Sequence, residues 1–152
     1  MDYTSSFDIF DTCLIRSCGP SSSLYDILAS EAFSKPVSYD IRHEFIIARI
    51  NAESHNNLQS IYNNIEFSHE HLLPANKLVE NELSIENSLL KPSKKVLALV
   101  NQCRIDGHRI IFISDMYLPS SFLRKQLEKW GFWKDGDTLY VSNEIQKTKS
   151  SG

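Results

Sequence analysis

The segment HRIIFISD, residues 108–115, limits the fold more than any other stretch of this 152-residue chain. Ile110, Ile111, Phe112 and Ile113 run without a break into Ser114. A strand with one wet face alternates apolar and polar residues. An unbroken apolar run between helical patterns suits a strand covered on both faces, as in a parallel sheet. The flanks supply those patterns. Upstream, Val96, Leu99, Val100 and Cys103 recur at i, i+3, i+4 and i+7, which predicts an amphipathic helix ending near Gly107. Downstream, Pro119 suits a helix's first turn, Leu123, Leu127 and Trp130 its buried face, and Gly131–Phe132 a left-handed cap. After the Asp135–Gly136 turn, Thr138 to Val141 reads as another strand. Tyr3 to Phe10 reads as a first buried strand, ending at Asp8–Asp11. This order predicts an α/β fold with a Rossmann-like parallel sheet.

Between the first and second strands the pattern is helical from Ser21 to about Leu90. Leu24, Ile27 and Leu28 form one stripe. Asp40 is placed to cap a helix with Ile41, Phe45, Ala48 and Ala52 on one side. Leu58, Ile61, Tyr62 and Ile65 follow, then Val79, Leu83, Glu86 and Leu90 at looser spacing. The region includes the Asn-rich NAESHNNLQSIYNNIEFSHEH. The expected organisation is an α/β core from residues 1–18 and 91–152, with residues 19–90 inserted as a helical module. His69 and His71, two apart, would lie on different faces of a helix, so that pair reads as solvated surface. His108 reads as a loop residue, and Trp130 and Trp133 as core.

The bulk numbers exclude several classes. A net charge of −3 gives no basic field for nucleic acid. No apolar run is long enough to span a bilayer. Cys13, Cys18 and Cys103 are odd in number and show no CxxC spacing, which argues against a disulfide frame or zinc site. MDYTSSF lacks a basic-then-apolar leader, and the expected location is cytoplasmic.

In open α/β sheets, functional groups gather at the C-terminal ends of the strands. Asp8 to Thr12 follows the first strand, Ser114–Asp115 the second, and Lys149, within EIQKTKSSG, the third. A carboxylate can attack phosphorus and hold a divalent cation. A hydroxyl and backbone amides can bind phosphoryl oxygens, and a lysine can offset their charge.

These residues carry a resemblance. FDIFDT resembles motif I of the haloacid dehalogenase (HAD) superfamily, FISDMYLP resembles motif II, and KSSG resembles motif III. The helical insert stands where that superfamily carries a C1 cap. FDIFDT, SDMYLP and YVSNE with KSSG are similar, more closely, to HAD-like domains found beside bacterial glycosyltransferases. The resemblance implies Asp8 as nucleophile, with Ser114 and Lys149 completing the catalytic set. It implies phosphate binding by Thr12, Ser114, Asp115 and Lys149. It also implies Mg²⁺ held by the Asp8 carboxylate and the Phe10 carbonyl, and a small phosphorylated substrate such as a sugar phosphate. An Arg is usual at the position of Arg16.

Two departures keep alternatives open. Phosphatases of the superfamily place a general-acid Asp two residues after the nucleophile, where this chain has Phe10. Loss of that acid removes typically ~10²–10⁴-fold from a rate. Dehalogenases lack the acid too, so that reading stays open, as does a substitute acid in Asp11 or Asp115. The acidic fourth motif has no room before Gly152. The expectation is therefore a truncated chain, or one completed by a partner or second copy along an unpaired sheet edge beside Asp8. A non-catalytic HAD-like module also remains open. A phospho-accepting receiver domain shares the Asp, Ser/Thr, Lys order but lacks the early helical insert.

Overall fold

The computed structural model describes residues 2–145. The chain divides into two compact units, Met1–Ser17 with Leu90–Gly152, and Cys18–Leu89.

The first unit is built on a parallel sheet of β1 (Thr4–Asp8), β4 (Arg109–Ser114) and β5 (Thr138–Val141), in the order β1-β4-β5. Ile110, Phe112 and Ser114 are buried on β4, and Ile111 and Ile113 are half-buried, so the uninterrupted apolar run serves both faces. Phe112 is fully buried, with the rings of Phe7, Phe132 and Trp133 at 6.4, 6.4 and 6.2 Å. α6 (Ser120–Lys129) buries Leu123 and Leu127. Its end is a Schellman closure: Phe132 N–H donates to Leu127 O at 2.9 Å and Gly131 N–H to Glu128 O at 3.2 Å, with Gly131 at φ 81°. α5 (Lys94–Ile105) is capped by the Ser93 hydroxyl and buries only Val100. The expected stripe is therefore only partly covered: Val96 and Cys103 are half-buried and Leu99 is exposed. β1 stops at Asp8 rather than Phe10, because the chain there leaves the β4 ladder for a tight turn. His108 is more than a loop residue. It bonds the Ser5 hydroxyl at 2.7 Å and packs on Tyr3.

A feature the pattern reading missed is an antiparallel ribbon of β2 (Leu14–Arg16) and β3 (Leu90–Pro92). Three-residue strands carry too little periodicity to register. Their pairing, Leu14 with Pro92 and Arg16 with Leu90, brings together the chain positions on either side of the insert.

The second unit contains α1 (Ser21–Ser30), α2 (Tyr39–Asn51), a 3₁₀ turn at Ala52–His55, α3 (Leu58–Asn63) and α4 (Ala75–Leu89). Ser38, not Asp40, caps α2: its hydroxyl accepts from Ile41 N–H at 3.3 Å. Asp40 sits in the first turn, where a carboxylate still suits the helix dipole. Phe45, Ala52, Leu58, Ile61 and Tyr62 are buried as their spacing predicts. Ile65 lies beyond the end of α3.

The stripe on α4 differs in part. Leu78, Glu82, Ile85 and Glu86 are buried, Val79 and Leu83 are half-buried, and Leu90 is buried on β3. The burial of Glu82 belongs to an ion pair that the apolar pattern cannot show. Arg49, fully buried on α2, forms a two-pronged pair with Glu82, Nε to Oε2 at 3.2 Å and Nη2 to Oε1 at 2.6 Å. The Tyr62 hydroxyl donates to Glu82, and Arg49 Nη1 reaches Glu53 at 3.1 Å. The Tyr25 hydroxyl also donates to Glu53. Burial, and next Glu82, push the Tyr62 hydroxyl well above its ordinary value of 10.0. His69 and His71 are not helical. They sit on the stretch after α3 with rings 5.6 Å apart, and His69 packs edge-on against Phe33.

Candidate active site

The parallel register sets the site. On the central strand β4, Phe112 pairs with Phe7 on one side and Leu139 on the other, and Ile113 with Asp8 and Tyr140. Ser114 pairs with Val141 at the last position of the β4–β5 ladder. The three strands thus end within one register position of each other, and the residues after them emerge from one edge of the sheet.

Asp8 closes β1 and is exposed. The chain after it folds into a turn: Cys13 N–H reaches Asp8 O at 3.4 Å, Leu14 N–H reaches Ile9 O at 2.8 Å, and Asp11 N–H reaches Leu14 O at 2.9 Å. Ile9 and Cys13 are fully buried and anchor this turn. Burial pushes the Cys13 thiol up to about 12. Asp11 takes φ 57°, a left-handed conformation that glycine adopts without strain and aspartate tolerates better than most residues. Thr12 is half-buried within the same turn.

Phe10 stands in the same turn, half-buried. The Arg16 guanidinium lies 5.1 Å from its ring centroid. This cation–π contact gives Arg16 a local role that sequence spacing could not. It also commits position 10 to an apolar ring.

Ser114 is 2% exposed, and its hydroxyl accepts from Met116 N–H at 3.2 Å. It is not the cap of α6, whose N-cap is Pro119. A hydroxyl carries one donor and two acceptor positions, so this bond leaves its proton available for an oxyanion. Asp115 follows and is exposed. Lys149 lies outside the described residues. Asp8 to Thr12 and Ser114–Asp115 therefore share one sheet edge.

Two residues escaped the sequence reading as individuals. Asn143 and Glu144, on the short helix α7 (Ser142–Ile145) after β5, bond the loop that follows Ser114. Their position directly after a strand end was the available signal.

The groups that would hold the magnesium implied by the resemblance are oxygens, the Asp8 carboxylate and the Phe10 main-chain carbonyl. That set suits magnesium rather than zinc. Among the described residues no group of three or more His, Cys, Asp or Glu is placed to hold a metal.

Comparison with known proteins agrees with this geometry. No protein-family model matches the chain, and no curated protein does. Solved structures do. A Thermotoga maritima protein assigned as a β-phosphoglucomutase aligns with 98% of the chain at TM-score 0.60 and 16% identity. The Bacillus subtilis protein YfnB, assigned as a HAD-hydrolase and bound to magnesium, aligns with 98% at TM-score 0.63 and 12% identity. The likeness is one of fold: the chain shares the α/β architecture of these two proteins. The chain spans 65% of the length of the first neighbour and 69% of the second. No described helix is long and apolar enough to cross a membrane.

Proposed function

We propose that the chain is a HAD-type phosphohydrolase that works through an aspartyl-phosphate on Asp8. The observation that supports this most is that β1 and β4 end within one register position of each other, at Asp8 and Ser114. In this reading an Asp8 oxygen attacks phosphorus as the bond to the leaving oxygen breaks. Ser114 donates a hydrogen bond from its hydroxyl to a phosphoryl oxygen, and Thr12 in the turn after β1 binds the same charge. Lys149 belongs to the set by the motif it resembles. Magnesium, held by Asp8 and the Phe10 carbonyl, would neutralise phosphate charge. Water then hydrolyses the acyl-phosphate and restores the carboxylate. The expected substrate is a small phosphorylated metabolite, with sugar phosphates first in line from the resemblance to glycosyltransferase-associated domains, and the expected compartment is the cytoplasm.

The test is phosphate release from a panel of sugar phosphates, with magnesium and with EDTA. Magnesium-dependent release that Asp8→Asn abolishes supports the proposal. Release that survives Asp8→Asn overturns it.

One observation favours a second reading, a non-catalytic HAD-like module. The Phe10 ring, engaged by Arg16, cannot protonate a leaving oxygen. Phe10→Asp separates the two. A gain in turnover of ~10²-fold or more identifies the missing acid as the defect. No turnover before or after the change supports the module.

A further inference from the structure

The loop that leaves β4 is held from outside by two adjacent side chains. Asn143 Nδ2 donates to Met116 O at 2.7 Å and Leu118 O at 3.2 Å. A carboxamide carries two N–H donors, so one side chain can serve both carbonyls. The Glu144 Oε1 accepts from Ser120 N–H at 2.8 Å. That bond has a clear reason. The N-cap of α6 is Pro119, which has no side-chain oxygen, so a first-turn donor of the helix would lack a partner from its own cap. The Ser114 hydroxyl, two residues before the first anchor, accepts from Met116 N–H, and Leu118, whose carbonyl is the second, is fully buried.

We infer that Asn143, with Glu144 beside it, is a positioning residue: it fixes the Ser114–Pro119 loop in the form that presents the Ser114 hydroxyl and Asp115 at the sheet edge. The consequence for anion binding rests on the phosphohydrolase reading; the clamp itself does not. It also ties the β4 loop to the segment after β5, so neither can move without the other. Asn143→Asp keeps the shape but sets a carboxylate against two carbonyl oxygens, and Asn143→Ala removes both bonds.

Amide hydrogen exchange of the full chain reads the clamp directly. Asn143→Ala or Asn143→Asp is expected to speed exchange at Met116 to Ser120 by tenfold or more, with β1 and β4 amides unchanged. Glu144→Ala should do so at Ser120 alone. Glu144→Gln, which retains an acceptor oxygen, should restore it. The Glu144 pair serves equally if the Asn143 variants fail to fold. Unchanged loop exchange overturns the clamp. The melting-temperature shift on adding magnesium with beryllofluoride is measured in parallel. A wild-type shift that the Asn143 variants lose supports positioning at the anion site, and one they keep in full overturns it. A wild type without any shift counts against the phosphohydrolase reading, while the exchange result still decides the clamp.

Discussion

At the scale of single residues, Asp11 shows how the turn constrains the chemistry. Its φ of 57° is open to glycine and hostile to a β-branched residue. Asp11→Gly should hold stability within about 1 kcal/mol, while Asp11→Val should lose about 1–2 kcal/mol or more, both read by urea unfolding. Unchanged turnover in Asp11→Gly would also remove Asp11 as substitute acid. Cys13 gives a second prediction. Its thiol is fully buried and raised from 9.0 to about 12, so it should resist alkylation in the native protein at pH 8, while the half-buried Cys18 and Cys103 react. The sign with pH follows. Below 9.0 the thiol is protonated in both states and contributes nothing; above it the unfolded chain ionises first. Stability therefore falls by up to about 1.4 kcal/mol per pH unit until about 12, which chemical denaturation across that range checks. The presence of Asp8, Phe10 and Ser114 was legible in the sequence because strand ends mark them. The roles of Arg16 and Asn143 were not, since each depends on a partner fixed only by the folded turn or loop.

At the scale of elements, the buried Arg49–Glu82 pair decides how the helical unit packs. Removing one partner leaves a charge buried without compensation. Arg49→Met should lose about 3–5 kcal/mol, and adding Glu82→Leu should recover part of it, as a double-mutant cycle by denaturant would show. The pair also explains why Glu82 is buried outside the expected stripe of α4: a glutamate reads as surface until its arginine is known. Gly131 tests an element that was legible. It sits at φ 81° with nothing within 4 Å of a would-be Cβ, so Gly131→Ala costs conformation alone, about 1 kcal/mol in thermal or urea unfolding. The Gly131–Phe132 cap could be foreseen because its chemistry is local. The β2–β3 ribbon could not, because three residues of strand are specified by the partner rather than by their own alternation.

At the scale of the whole molecule, each unit keeps its own core. The helical unit holds Leu24, Leu28 and Ile85 in one cluster, with the Arg49 network beside its other buried residues on α2, α3 and α4. Residues 18–89 expressed alone should therefore keep helical circular dichroism and melt cooperatively; a non-cooperative melt would show that they need the α/β unit. The alternation of buried strand and amphipathic helix carried the α/β architecture because it is repeated along the chain. The reach of the site was harder to read, since it joins residues about 100 positions apart through sheet register. The central claim is that Asp8, at the end of β1, is a phosphoryl acceptor. Its most direct test is the thermal melt of the chain with magnesium and beryllofluoride, a mimic of aspartyl phosphate, beside Asp8→Asn. Binding to the native state alone raises the melting temperature. A rise in the wild type that vanishes in Asp8→Asn is the predicted result; an equal rise in both, or none in either, contradicts the claim.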